Sequence, residues 1–259
     1  MKTLVVANQK GGVGKTTTAR HLAFYGAEKG LRVLAVDMDV QGNFTTTFQN
    51  IAEQNGFKVD VNGLHASGIF EPTNSNNPVQ CAKNLFYIGA DPGIVDVERR
   101  DLEQVISEGQ KRFKVLGKSF DVCVVDTGPA VSNLLVAALS IGDYAISPCK
   151  PDRDAIAGLA GYFSNVIRVR DNSNINPKLA ALGVLPNQIN KKRAYHKSVL
   201  AEMREHWGDS VLPVELYERA AIDVAKDRAV WLTDKGESQS LAAREMKAVC
   251  KYIYQQMGF

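Results

Sequence analysis

Short, continuous apolar runs alternate with helix-like segments along the chain. Apolar residues that follow one another in this way are typical of strands buried on both faces of a sheet. Their alternation with helical patterns predicts an α/β fold, with a doubly wound, mostly parallel sheet flanked by helices. The runs predict strands at residues 3–8, 32–36, 85–88, 120–125, 144–147, 180–186 and 211–214.

The segments between these runs indicate how the chain is organised. Residues 71–77 are rich in residues that favour turns, and they indicate a surface insertion rather than a domain boundary. The segment at 241–257 places Leu241, Met246 and later apolar residues near one helical face, which is typical of a helix packed on a core. Since α/β folds of 259 residues often form one domain, we expect a single domain over residues 1–259.

Composition and charge exclude several classes of protein. A hydrophobic fraction of 45% and a charged fraction of 23% are ordinary for a globular protein, and a net charge of +3 is too small to demonstrate a polyanionic partner. The 4 cysteines form no CxxC pair, the 4 histidines lack metal-ligand spacing, and no apolar run approaches the roughly 20 residues of a membrane span. Because the first strand begins close to Met1, we expect a cytoplasmic protein without a signal peptide or an N-terminal helix-turn-helix domain.

A glycine-rich loop joins the first strand to a helix-like stretch. The run KGGVGKTT follows an apolar segment, which is the context of a phosphate-binding P-loop. Its glycines let backbone amides surround phosphate oxygens, and the helix N-terminus adds partial positive charge. Lys15 would reach the terminal phosphates of a nucleotide, and the Thr16 hydroxyl would bind Mg²⁺. The predicted nucleotide-binding residues of this loop are Lys10, Gly11, Gly12, Val13, Gly14, Lys15, Thr16 and Thr17.

Lys10 distinguishes this loop from an ordinary P-loop, which has no fixed cation at that position. One interpretation of Lys10 is a solvated surface charge. The other, which we favour, is a phosphate contact made across a dimer of two chains.

Carboxylates end two of the predicted strands. Asp37 and Asp39 follow one apolar run, and Asp126 follows another. Phosphoryl transfer needs a carboxylate that holds Mg²⁺ near the P-loop and a group that orients the attacking water. Asp126 fits the metal-binding position, directly or through water, and we expect Asp37 or Asp39 to face the metal or the water. Residues 127–129 turn the chain beside Asp126, where they would sense the γ-phosphate.

Together these motifs resemble those of the ParA/MinD family of deviant Walker A ATPases, and within it the ParA-type plasmid partition proteins. The resemblance covers nearly the whole chain. Its motifs are KGGVGKTTT at 10–18, DMDVQGN at 37–43, DVCVVDTGP at 121–129 and, more loosely, LGVLPNQIN at 182–190. Relatives usually have proline where this chain has Val40. Because valine permits a wider φ range, we expect a less rigid loop that keeps Asp37 and Asp39 in place.

The resemblance implies a role for each motif residue. Lys10 would contact the nucleotide of the partner subunit, Asp39 would position or activate the attacking water, and Asp37 would lie near the metal. Asn187 matches a position that contacts the base. The remaining implied nucleotide contacts are Pro213, in the adenine pocket, and Asp152, near the ribose across the dimer.

The same resemblance implies an ATP-driven switch. ATP and Mg²⁺ would bind each monomer, and the resulting homodimer would bind duplex DNA through its phosphates without sequence preference. Hydrolysis, weak by itself and stimulated by a ParB-like centromere-binding protein, would open the dimer and release it from the nucleoid. A solvated helix face is the alternative for the basic residues near the C-terminus. Those expected to contact DNA are Lys191, Lys192, Arg193, Lys197, Arg219 and Lys226, with Arg204 and Arg228 nearby.

Other functions share parts of this pattern. A MinD-like membrane-associated positioner would need a basic amphipathic tail, and the last residues are poor in cations. A positioner of protein cargo on the nucleoid would share the ATPase and the DNA binding, so the sequence barely separates it from plasmid partition. A nitrogenase-reductase type of ATPase would need a cysteine just after Asp126, where Thr127 follows instead. A small-molecule kinase or synthetase would have no need of Lys10.

Overall fold

The computed structural model describes residues 1–59, 62–232 and 240–259, and within them one seven-stranded sheet is flanked by helices. The strands are β1 (Lys2–Val6), β2 (Val33–Met38), β3 (Val79–Ala82), β4 (Leu85–Ile88), β5 (Val122–Thr127), β6 (Tyr144–Cys149) and β7 (Ala180–Pro186). The helices are α1 (Lys15–Glu28), α2 (Asn43–Gln54), α3 (Ile94–Val97), α4 (Leu102–Leu116), α5 (Asn133–Ile141), α6 (Ala155–Arg170), α7 (Ala194–Trp207), α8 (Ala220–Val224) and α9 (Leu241–Gln256). Short 3-10 turns cover Ser67–Phe70, Gly208–Ser210 and Val230–Leu232.

The strands are ordered β3-β4-β2-β5-β1-β6-β7. Their pairings are parallel, except that β3 runs antiparallel to β4. This confirms the predicted doubly wound, mostly parallel sheet. Such sheets bind ligands outside the carboxyl ends of their strands. The loops that follow β1, β2 and β5 meet at this edge, because these strands are neighbours in the centre of the sheet.

The continuous apolar run at residues 4–7, which begins in the inner strand β1, is explained by helices on both faces of the sheet. Leu4 and Val6 pack into a core with α1, α2 and α9, whereas Val5 and Ala7 pack into a second core with α4, α5 and α6. Successive side chains of a strand point to opposite faces, so both sets must be apolar when helices cover both faces. All four side chains are buried, which anchors the strand that leads into the P-loop.

Two strand predictions differ from the structure. The sequence pattern missed β3, a four-residue edge strand whose residues alternate in burial. It reaches β4 through a tight turn in which Asn84 adopts a φ of 63°. The strand predicted at 211–214 is wrong, because in the described part of the chain only Val211 of this segment bridges β7. Pro213 is exposed and has no backbone N–H, so it cannot extend a ladder.

The core-packing helix predicted near the C-terminus is confirmed as α9, but Leu241, which the pattern places on the packed face, is 53% exposed. Ser240 caps the helix, since its Oγ accepts a hydrogen bond from the Ala243 N–H at 3.2 Å. Met246, Val249 and Ile253 are buried in the core that α9 shares with α1. Among the described helices, none combines the length and the apolar character that a membrane span requires.

Residues 71–77 form a loop at the surface, as the turn-forming sequence predicts. Arg112 of α4 holds this loop, because its Nη1 donates to the Asn74 carbonyl at 3.0 Å and its Nη2 donates to the Asn76 carbonyl. The insertion is therefore attached to the helical layer on one face of the sheet and lies outside the edge formed by the loops after β1, β2 and β5.

Candidate nucleotide-binding site

The P-loop runs from the end of β1 to Lys15, the first residue of α1. Gly12 and Gly14 have φ values of 72° and 88°, in the left-handed region that favours glycine. Gly14 has a second reason to be glycine, because a Cβ there would overlap the side-chain amide of Asn187. This path wraps the loop around the amino end of α1, where the helix dipole and the first backbone N–H groups favour a phosphate.

Lys15 is buried between the loop and the strand ends. Its Nζ donates to the Lys10 carbonyl at 3.1 Å, so the side chain folds back over the loop. Burial lowers the pKa of Lys15, and the negative charges of Asp126 and Asp39 oppose that shift. The ammonium therefore lies close to both carboxylates, on the side of the loop where the terminal phosphates of a nucleotide would bind.

Asp37 is anchored by protein donors at both carboxylate oxygens. Oδ2 accepts hydrogen bonds from the Thr45 N–H at 2.7 Å and the Thr45 hydroxyl at 2.6 Å, and Oδ1 accepts one from the Asp39 N–H at 3.0 Å. Burial raises the pKa of Asp37 to about 6 despite these bonds. The hydroxyl of Thr45 also accepts from the Ala90 N–H at 2.7 Å, so Asp37 links the end of β2 to α2 and β4.

Asp39 is held less tightly than Asp37. Its Oδ1 accepts a hydrogen bond from the Gln41 N–H at 3.0 Å, and its side chain lies beside Gly128 in the loop after β5. Asp39 is also 9% exposed, whereas Asp37 is 1% exposed. Of the two carboxylates, Asp39 is thus the one with access to a water molecule at the edge of the sheet. Val40, the departure from the family pattern, is 52% exposed.

Asp126 is fully buried, and among the described residues its carboxylate accepts no well-formed hydrogen bond, although the Thr16 hydroxyl lies close enough to lower its pKa. It lies level with Asp37 on the paired strands β5 and β2. Burial raises its pKa well above the ordinary value, the charge of Asp37 raises it further, and Thr16 and Lys15 act in the opposite direction. A buried carboxylate with so few partners is costly, and its position fits a site that receives a cation.

The residues around Asp126 fit Mg²⁺ in particular. In the part of the chain that the structure describes, no group of three or more His, Cys, Asp or Glu side chains is arranged to hold a metal by itself. Mg²⁺ at nucleotide sites suits this arrangement, because it takes one or two protein oxygens and completes its shell with phosphate and water oxygens. Asp126 and the nearby Thr16 hydroxyl at the start of α1 are the protein oxygens that would hold Mg²⁺ here.

Lys10 forms an ion pair within its own chain. Its Nζ lies 2.6 Å from Asp152 Oδ1 and 3.4 Å from Asp154 Oδ2, in the loop between β6 and α6. The Lys10 N–H also donates to Asn8 Oδ1 at 2.8 Å. Sequence reasoning missed this pair, since it placed Lys10 in solvent or on a partner's nucleotide and Asp152 near a ribose. The side chain of Lys10 is 28% exposed, so it lies at the open edge of the site.

A cavity of about 140 Å³ lies beside the P-loop, and none of the three carboxylates named above lines it. Its lining includes Asn187, as predicted for a base contact, but not Pro213. Asn187 Nδ2 donates to the Val13 carbonyl at 2.7 Å, so the amide also braces the P-loop. The complete lining is Gly14, Thr17, Thr18, Asn187, Gln188, Leu216, Tyr217, Glu218, Arg219, Ile222, Asp223 and Met246.

Gln188 is a site residue that the sequence reasoning missed. Its Nε2 donates to the Gly12 carbonyl at 2.9 Å, and its backbone adopts a left-handed φ of 53°. A left-handed glutamine is uncommon and is held here by its own side chain and by the Asn187 Oδ1, which accepts from the Gln188 N–H at 2.8 Å. Its place directly after Asn187 in the motif is the one sequence signal that pointed to it.

Comparison with known proteins decides the family. A family model described as an AAA domain matches residues 1–181, which contain the P-loop and all three strand-end aspartates. The protein IncC of Escherichia coli is 32% identical over 99% of this chain and 70% of its own length. The chromosome-partitioning ATPase Soj of Thermus thermophilus is 31% identical over 82% of this chain and 79% of its own length. The chain belongs to the ParA-type partition ATPases.

Solved structures support the fold of this ParA-type ATPase. The cobyrinic acid a,c-diamide synthase of Mycobacterium smegmatis, with bound ADP and magnesium, superposes with a TM-score of 0.77 at 22% identity, over 99% of this chain and 95% of the synthase chain. At this identity the likeness concerns the fold alone. A synthase and a partition ATPase therefore share one architecture. The family of this chain is assigned from its sequence relatives and its motif residues, because the fold does not distinguish the two activities.

The basic residues expected at or near a DNA contact fall into two groups. Three of them are engaged with other side chains: Lys191 lies 4.0 Å from the ring centre of Tyr217, Arg219 pairs with Glu245, and Arg204 pairs with Glu215. The others are exposed and form no ion pair within the described ranges. These are Lys192, Arg193, Lys197, Lys226 and Arg228.

Proposed function

We propose that this protein is an Mg²⁺-dependent ATPase that dimerises on binding ATP and then binds duplex DNA without sequence preference, in the service of plasmid or chromosome partition. The observation that carries the proposal is the presence of two lysines in one P-loop. Lys15 is buried near the carboxylates, whereas Lys10 lies at the open edge, held by Asp152. A cation in that position is available to a second chain once it leaves Asp152.

The chemistry follows from the residues at the sheet edge. P-loop amides and Lys15 bind the phosphates, and Asp39 orients the attacking water toward the γ-phosphate. Thr16 and Asp126 would hold Mg²⁺, which neutralises the charge that develops on the phosphate oxygens. The P-loop itself, residues 10–17, contains no arginine, so weak intrinsic turnover is expected. A ParB-like centromere-binding partner would accelerate it.

The DNA-binding surface of this proposal comprises the exposed cations Lys192, Arg193, Lys197 and Lys226. Such cations bind phosphates and release counterions, so the affinity for DNA should fall steeply with salt. A dimer would place two copies of this surface on one duplex, which accounts for binding only in the ATP state. We therefore expect the ATP-bound protein to associate with the nucleoid.

One experiment tests the proposal. Binding to non-specific duplex DNA is measured with ATP, with ADP and without nucleotide, at several salt concentrations, for the wild type, Lys10→Ala and the control Lys118→Ala. Lys118 is an exposed lysine at the opposite end of β5. Binding that requires ATP, falls with salt, survives in Lys118→Ala and is lost in Lys10→Ala is the expected result. ATPase activity without DNA binding in any state would overturn the partition proposal.

A further inference from the structure

Arg219 lies at the boundary between the nucleotide cavity and the basic surface. It precedes α8 and lines the cavity together with Gly14 and Thr17 of the P-loop region. The sequence pattern groups it with the cations expected to contact DNA. Its surroundings instead place it on the wall that a nucleotide would touch.

The guanidinium of Arg219 is already committed to a carboxylate. Nη2 lies 2.7 Å from Glu245 Oε1, and Nε donates to Glu245 Oε2 at 3.2 Å, which is a bidentate pair with α9. The two side chains are 29% and 17% exposed. A DNA phosphate would have to compete with this pair, whereas Lys192 and Arg193 have no such competitor among the described residues. The pair also fixes the plane of the guanidinium.

Tyr217 shares this wall with Arg219. Its ring lines the same cavity, and the Arg219 guanidinium lies 5.6 Å from the ring centre. The Tyr217 hydroxyl donates to Glu215 Oε2 at 2.6 Å, which holds the ring in position. A fixed guanidinium plane and a fixed aromatic ring on one cavity wall form a surface suited to a flat heterocycle.

We propose that Arg219 binds the nucleoside part of ATP, with its guanidinium against the base, and that it is not a DNA ligand. The inference rests on the proposed function for the identity of the nucleotide. Phosphates bind at the amino end of α1, so the cavity next to Gly14 and Thr17 receives the part of the nucleotide that follows them. The chemical class of ligand is a nucleoside di- or triphosphate whose base stacks on a cation.

The test separates the base from the phosphates. Calorimetry measures the affinity of the nucleotide-free protein for ADP and for pyrophosphate, both with Mg²⁺, in wild type, Arg219→Ala, Arg219→Lys and Arg244→Ala. Arg244 is an exposed arginine on α9 beside Glu245, and it controls for the loss of one charge. Arg219→Ala should weaken ADP binding about tenfold and leave pyrophosphate binding unchanged. Arg219→Lys should recover little of the lost ADP affinity, because an ammonium group has no planar face that can stack on the base.

DNA binding at saturating ATP provides the second readout. Arg219→Ala should keep the wild-type dependence of log affinity on log salt, whereas Lys192→Ala should reduce that slope by about one. Unchanged ADP affinity in Arg219→Ala, or an equal loss for ADP and pyrophosphate, would overturn the inference. A wild type that binds ADP but no DNA would refute the proposed function alone, since the ADP and pyrophosphate comparison does not depend on DNA. If Arg219→Ala does not fold, Glu245→Gln replaces it, since this change loosens the same guanidinium. Glu245→Gln should lower the affinity for ADP and leave the affinity for pyrophosphate unchanged.

Discussion

The ammonium of Lys10 and the carboxylate of Asp152 lie 2.6 Å apart in one chain, although 142 residues separate them in sequence. The pair joins the P-loop after β1 to the loop after β6, the neighbouring strand. Asp154 adds a second carboxylate at 3.4 Å from the same ammonium. If Lys10 serves a second chain in the ATP state, as proposed, this pair must open first, and it therefore opposes dimerisation.

Replacing Asp152 by Asn should ease ATP-dependent dimerisation. The pair is partly exposed, and such pairs contribute roughly 0.5–1 kcal/mol, so the ATP concentration for half-maximal dimer should fall about two- to fivefold. Sedimentation of the protein over an ATP titration measures this concentration. The control is Asp209→Asn, because Asp209 is exposed and forms no ion pair among the described residues. A variant that no longer dimerises would contradict this prediction. That result would instead support a role for Asp152 at the ribose across the dimer.

Replacing Asp126 by Asn should abolish hydrolysis and stabilise the nucleotide-free protein. If this carboxylate holds Mg²⁺, as proposed, turnover should fall by at least about 100-fold, whereas removal of a poorly partnered buried charge favours the fold. Since the folded state raises the pKa of Asp126, it binds a proton that the unfolded chain releases as the pH rises. The stability advantage of Asp126→Asn should therefore grow as the pH rises from 4 to 7.

Urea denaturation without nucleotide, at pH 4, 5.5 and 7, measures this trend against wild type. Asp121→Asn is a matched control at the other end of the same strand, where the carboxylate accepts from the Arg32 N–H at 2.8 Å and is exposed. An Asp126→Asn protein less stable than wild type at pH 7 would show that Asp126 is paired in solution. It would also remove the argument for a cation at that position.

Local pattern predicted the parts of this structure that depend on neighbours in sequence. The apolar run of β1 and the terminal position of Asp126 each follow from strand geometry and burial, and both lie where expected. The Lys10–Asp152 pair depends on how β1 and β6 align, which no local pattern encodes. Similarly, Arg219 carries the same charge as Lys192, and their environments differ through tertiary contacts such as the pair of Arg219 with Glu245 on α9.

Replacing Asn187 by Ala should weaken nucleotide binding. Asn187 is 6% exposed, and its Nδ2 donates to the Val13 carbonyl at 2.7 Å, while its Oδ1 accepts from the Gln188 N–H. Loss of these bonds releases the P-loop, so ADP affinity should fall roughly five- to tenfold and the free energy of unfolding by about 1–2 kcal/mol. Calorimetry with ADP and with pyrophosphate checks this prediction. The affinities for both ligands should fall, because the P-loop that binds their phosphates is loosened. A loss confined to ADP would indicate that Asn187 acts only on the base.

Protonation of His21 should destabilise the protein at acid pH. His21 is fully buried in α1, its Nδ1–H donates to the Thr17 carbonyl at 2.7 Å, and its Nε2 accepts from the Val230 N–H at 3.1 Å. Burial, with the nearby charge of Arg20, lowers its pKa to about 3. The folded state therefore keeps His21 neutral while the unfolded chain takes up a proton below about pH 6.5. This stabilisation is present above that pH and is lost as the pH falls toward 3.

The effect is measurable as a difference between wild type and His21→Gln. Between pH 7 and pH 5 the wild type should lose about 2 kcal/mol more of its free energy of unfolding than the variant, which carries no titrating group at this position. Urea denaturation at both pH values gives this difference directly, since the titration of Asp37 and the other carboxylates is common to the two proteins. The control is His206→Gln, since His206 is an exposed histidine of α7. Its free energy of unfolding should have the same pH dependence as that of wild type. If the free energy of unfolding had the same pH dependence in wild type and His21→Gln, the hydrogen bonds to Thr17 and Val230 would not keep the ring neutral. The link from α1 to residues 230–232 would then be formed in another way.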